Sequence, residues 1–163
     1  MRIVCRPRND GARCYAIALA MCLAAPLSAS VRGGVLTQES TSATRSVWDG
    51  VYTEEQAKRG NETYRKECAS CHGDSLVGGG GAAALTGGTF LSNWNGLTVG
   101  DLFDRIRKTM PQGAVGKLTK QQDADVLAYL LSFNKFPAGK AELQKQVEFL
   151  KEIRFEATKP ESK

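Results

Sequence analysis

The chain has 163 residues, with 22 Lys+Arg against 17 Asp+Glu, one histidine and a formal net charge of +5. That length holds one ordinary domain and little more. Four of the basic residues and one acidic residue fall within the first 29 positions. The rest therefore carries 18 against 16, a balance that argues against nucleic acid as a partner.

Arg2, Arg6, Arg8 and Arg13 precede an uncharged apolar run from Cys14 to Leu27, and Leu27-Ser28-Ala29 offers small residues for cleavage. The pattern is that of a secretory signal peptide over residues 1–29, and it predicts a periplasmic or otherwise exported protein. The run of 14 residues is interrupted by Pro26 and falls short of the ~20 needed to cross a bilayer. No stable membrane span is expected after leader cleavage. A lipid anchor on Cys22 is the minor alternative, because Met21 is larger than the small residue expected before such a cysteine. Removing the leader leaves Cys68 and Cys71 as the only cysteines, His72 as the only histidine and Met110 as the only methionine.

Residues 30–47 are rich in Ser, Thr and Gly and read as a flexible linker. A globular module is expected over residues 48–137, followed by a C-terminal tail over 138–163. Thr53-Glu54-Glu55-Gln56 is a capping box opening a first helix that runs into Cys68. A second opens at Thr98 or Gly100, buries Leu102, Phe103 and Ile106, and ends at Met110. A third opens at the capping box Thr119-Lys120-Gln121-Gln122, buries Ala124, Leu127, Ala128 and Leu131, and stops at Asn134 and Pro137. Gly73–Leu97 reads as one long loop, which needs something to wrap around. In the tail, Leu143, Val147 and Leu150 have the spacing of a short amphipathic helix folded back on the domain, or of a strap for a partner. Three helices over about 90 residues bury little apolar surface, so a flat apolar cofactor would complete the core.

Cys68-Ala69-Ser70-Cys71-His72 has the C-x-x-C-H spacing of haem attachment. Two cysteines three apart on a helical turn present their sulfurs to the two vinyl groups on one haem edge. The next residue carries its imidazole to the iron from the same face. A redox dithiol would follow a strand in a thioredoxin-like pattern. A structural zinc site would need a fourth ligand, and a three-residue spacing makes a poor disulfide staple. One haem c, covalent through Cys68 and Cys71 and ligated by His72, is the expectation. For the other axial position Met110 is the remaining neutral soft ligand, 38 residues after His72 and followed by Pro111, which turns the chain. A lysine or an open position is the alternative.

With these motifs the chain resembles class I c-type cytochromes, and among them the single-haem cytochromes c of bacterial quinoprotein alcohol-dehydrogenase-type electron chains. The resemblance spans Trp48 to Pro137. It rests on Gly60, Tyr64, Cys68–His72, Leu85, Phe90-Leu91-Ser92-Asn93-Trp94, Asp101-Leu102-Phe103, Ile106-Arg107 and Thr109-Met110-Pro111. It implies an all-α class I cytochrome c fold, with three main helices and long loops around one haem. It implies a first and last helix crossing at Gly60 and Tyr64 against Leu127, Leu130 or Leu131. It also implies a non-enzymatic one-electron carrier with His72 and Met110 as axial ligands. Trp94, Asn93 and Arg107 are candidate propionate donors. Arg65, Lys66, Lys108, Lys117 and Lys120 could steer an acidic redox partner, with a quinoprotein dehydrogenase as donor and a terminal oxidase or another cytochrome as acceptor. Relatives have a proline after the haem motif whose carbonyl receives the histidine N–H, and a Pro-Gly pair after the methionine. Here those regions read Ala82-Ala83-Ala84-Leu85 and Val115-Gly116, which puts loop stiffness in question. The rival readings are a haem-based sensor or peroxidase-like enzyme with an open sixth site, and a fixed electron-transfer subunit of a dehydrogenase complex.

Overall fold

The computed structural model describes residues 45–161; the expected leader and nearly all of the expected linker lie outside them. In chain order the elements are β1 (Arg45–Ser46), a 3-10 turn (Val47–Asp49), α1 (Glu54–Glu67), α2 (Ala69–His72) and α3 (Gly87–Trp94). Then follow α4 (Val99–Thr109), α5 (Lys120–Phe133), α6 (Val147–Leu150) and β2 (Ile153–Arg154).

The three expected helices form, and their starts follow from side-chain chemistry. The Thr53 hydroxyl accepts the Gln56 N–H at 3.2 Å, and Glu54 and Glu55 sit in the positive first turn of α1. The reciprocal half of that capping box does not form. Gln56 is fully buried and turns to the tail: its Nε2–H donates to the Leu143 carbonyl at 3.0 Å, and its Oε1 accepts the Leu143 N–H at 2.6 Å. In α4 and α5 both halves are present, from Thr98 with Asp101 and Thr119 with Gln122.

Helices α1 and α5 cross at Gly60. A Cβ there would lie 1.8 Å from the Asp125 carbonyl oxygen and 2.9 Å from Tyr129 Cβ, so only glycine allows the approach. The residues facing Gly60 are thus Asp125 and Tyr129, not the leucines expected from the resemblance. Leu130 packs with Tyr64, the contact the resemblance implies, and with Leu76 and Val126, while Leu127 and Leu131 belong to the larger cluster around Phe90, Phe103 and Phe155. Half-buried Leu85 and Ile106 pack against both clusters.

The loop expected from Gly73 to Leu97 contains helix α3. Its apolar residues Phe90, Leu91 and Trp94 have the i, i+1, i+4 spacing that marks α4, but Gly87 and Gly88 lower helix propensity and mask it. The tail also departs from a simple amphipathic helix. It passes Gly50 at Gly139, where a Cβ would lie 1.8 Å from the Gly50 carbonyl oxygen. It is helical only at Val147–Leu150, and it ends by pairing β2 parallel to β1, Arg45 with Ile153 and Ser46 with Arg154. Trp48 Nε1–H donates to the Glu156 carbonyl at 2.9 Å, and the Ser46 hydroxyl meets the Glu156 carboxylate. Leu143, Leu150, Ile153 and Phe155 are buried with Val47 in one core. The packed unit therefore extends past residues 48–137 at both ends.

Candidate haem-attachment site

Cys68 caps α1 and opens α2, a single turn that carries Cys71 and His72. Backbone bonds hold this turn: the Cys68 carbonyl accepts the N–H groups of Cys71 at 3.1 Å and His72 at 3.0 Å. Tyr64, fully buried one turn earlier, donates its hydroxyl to the Gly73 carbonyl at 2.7 Å, and burial pushes that phenol up from its ordinary pKa. The loop after the motif is drawn back by Gly78 N–H to His72 O at 2.9 Å and Leu85 N–H to Leu76 O at 2.7 Å.

His72 is buried, and its Nδ1 lies 2.8 Å from the Ala83 carbonyl oxygen. A carbonyl can only accept, so Nδ1 carries the proton and Nε2 keeps its lone pair. That is the tautomer a metal-ligating histidine needs, fixed by a backbone partner without a proline. Cys68 is half-buried and Cys71 exposed. Burial pushes the Cys68 thiol up to about 11, with the Glu67 charge adding to it. A redox-active dithiol requires the opposite shift, toward a stable thiolate at neutral pH. Among the described residues, no three His, Cys, Asp or Glu side chains converge as metal ligands would. Two thiols three residues apart on one turn, an imidazole held in its ligating tautomer, and the half-buried apolar residues Leu85, Leu91, Trp94 and Ile106 together fit haem c.

Met110 is the C-cap of α4 and half-buried, its N–H bonded to the Ile106 carbonyl at 2.8 Å. Ile106, one turn earlier, borders the cluster that Cys68 and Ala69 also border. The loop after Met110 is tied to the haem turn by Lys117 Nζ and Glu67 Oε2 at 2.5 Å. Trp94 is half-buried, its ring 6.4 Å from that of Phe90, and Asn93 is exposed on α3. Arg107 donates its Nη1–H to Asp123 Oδ2 at 2.6 Å, and its guanidinium lies 5.8 Å from the Phe103 ring centre. Of the steering cations, Lys117 is paired with Glu67 and Lys108 with Asp104. Asp123 and Gln56 are buried polar residues whose partners the motifs did not reveal. The signal for each was a polar residue inside an apolar helical stripe. A cleft of about 520 Å³ lies away from this turn, between the start of α1 and the end of α5, lined by Tyr52, Lys58, Tyr129, Lys135 and Phe136. It contains none of the attachment residues.

Residues 55–130 match the family model described as "Cytochrome C oxidase, cbb3-type, subunit III". The protein is thus mostly helical with a cytochrome c domain, and such a domain binds haem c and transports electrons. Among solved structures, the crystal structure of the sulfane dehydrogenase SoxCD from Paracoccus pantotrophus is similar, at 22% identity and a TM-score of 0.40. It covers 55% of this chain, and the chain spans about half, 53%, of that one. No curated protein matches the chain. Among the described residues no helix is long and apolar enough to cross a membrane.

Proposed function

We propose that the protein is a single-haem c-type cytochrome, exported to the periplasm, that carries one electron at a time between redox partners. Haem supplies a metal centre that changes charge by one electron. Everything else falls to the chain. Cys68 and Cys71 hold the cofactor by thioether bonds. His72 offers Nε2 as one axial ligand, with Nδ1 kept protonated by Ala83. Met110 offers its thioether as the other, from the end of α4. The bond between His72 Nδ1 and the Ala83 carbonyl is the observation that carries the reading, because it leaves the Nε2 lone pair available to a metal. Two protein ligands leave no position for oxygen or peroxide, so the chain acts as a carrier without substrate chemistry. A quinoprotein dehydrogenase is the proposed donor. A terminal oxidase is the proposed acceptor, a choice favoured by the oxidase-subunit family model that residues 55–130 match.

The test is the optical spectrum of the ferric holoprotein. Methionine ligation gives a weak band near about 695 nm, and Met110→Ala should abolish it and lower the midpoint potential. A high-spin ferric spectrum in the wild type would instead establish the open-site rival, a sensor or peroxidase-like enzyme.

A further inference from the structure

Arg107, a candidate propionate donor, is bonded to Asp123 in the structure. Asp123 lies in the first turn of α5 and is only 2% exposed, and Arg107 on α4 reaches it at 2.6 Å. No other side-chain hydrogen bond links α4 to α5 among the described residues. Burial raises the Asp123 carboxyl above its ordinary pKa and the Arg107 guanidinium pulls it back, so the charged pair carries a desolvation cost. Apolar residues of similar volume often replace buried ion pairs at no cost to stability, so the pair's geometry is what its placement brings to the site. Its placement fits. Arg107 precedes Met110 by three residues, a neighbouring position on the helix surface. Asp123 is close enough to Cys68 for its charge to bear on that sulfur.

We propose that the Arg107–Asp123 pair is a positioning device for Met110, fixing the last turn of α4 on the first turn of α5. The inference rests on Met110 being the second axial ligand. In a chain that lacks a Pro-Gly pair after the methionine, this pair and the Lys117–Glu67 bridge supply the stiffness from two sides. Without the pair, the α4 turn carrying Met110 can leave the iron more often, and an outside ligand can take its place. Arg107 and Asp123 touch neither iron nor partner in this role; they act through Met110.

The experiment measures binding of free imidazole to the ferric holoprotein, followed by loss of the 695 nm band, beside the thermal midpoint of the same samples. Asp123→Asn should tighten apparent imidazole affinity by about tenfold, through the larger population of methionine-released protein. Arg107→Lys, which keeps the charge but not the forked geometry, should fall between it and the wild type. The double variant Asp123→Leu/Arg107→Met should recover the thermal midpoint yet keep the tightened affinity, a split that a purely structural role would not give. Wild-type imidazole affinity in Arg107→Lys and the double variant would overturn the proposal, and both remain informative should Asp123→Asn fold poorly. Should the wild type itself lack the band, and Met110→Ala bind imidazole no more tightly than it, then Met110 ligation fails first. A wild type with the band and unaltered affinity in the variants sinks the positioning role alone.

Discussion

Gln56 shows how a single residue can serve a purpose different from the one its motif suggests. It stands at the third position of a capping box, yet its amide gives both of its hydrogen-bonding ends to Leu143. Gln56→Ala would leave a buried N–H and a buried carbonyl without partners, at roughly 1–3 kcal/mol for each. Urea unfolding of the holoprotein should therefore show a lower midpoint with an unchanged slope. Gly60 has no such alternative. A methyl placed 1.8 Å from the Asp125 carbonyl must push α1 from α5, so Gly60→Ala should cost about 3 kcal/mol or more, read from the same curves. Asp123 adds a pH dependence. Its folded pKa is raised above 3.8, so between 3.8 and that raised value the folded state holds more protons than the unfolded one. Its contribution to stability therefore falls as pH rises through this window. Wild type minus Asp123→Asn stability should grow on acidification toward pH 3.8, and a flat difference would show that Asp123 does not titrate there.

At the scale of elements, legibility tracked locality. Helices α4 and α5 were readable because Thr98, Asp101, Thr119 and Gln122 act within one turn, and most of the buried residues of those helices are apolar at helical spacing. The attachment turn was readable for the same reason, since Cys68, Cys71 and His72 act within five consecutive residues. Helix α3 was missed because two glycines at its start outweighed Phe90, Leu91 and Trp94. The long-range bonds near the turn were less legible. The resemblance pointed to the Ala82–Leu85 region for the His72 partner without singling out Ala83, while Lys117 to Glu67 and Arg107 to Asp123 join residues 50 and 16 positions apart, and no local spacing encodes them. The tail belongs with these. Its residues Leu143, Leu150, Ile153 and Phe155 are each worth about 1.5–3 kcal/mol when buried. Their sum rivals the whole stability of a domain, ~5–15 kcal/mol. A chain ending at Lys140 should accordingly lose cooperative thermal unfolding and bind ANS, whereas one ending at Lys159 should melt like the full chain.

At the scale of the molecule, the cytochrome c domain over residues 55–130 is enclosed by segments on either side of it. The 3-10 turn at Val47–Asp49 and β1 come from before it; Phe136, α6 and β2 come from after it. Together they back α3 and α4: the Gly96 N–H donates to the Phe155 carbonyl at 2.8 Å, and Gly100 lies against Lys151. The axial ligand proposed at Met110 thus stands on a helix braced by α5 on one side and by the tail on another. The parallel pairing of β1 with β2 carries a consequence for how the molecule is made. Ser46 and Glu156 meet across 110 intervening steps of sequence, and loop closure of that length comes late and slowly. A growing chain cannot seal its own beginning until its end has been synthesised. Until then the Cys68–His72 turn belongs to an open polypeptide, accessible from sides that the last strand later closes.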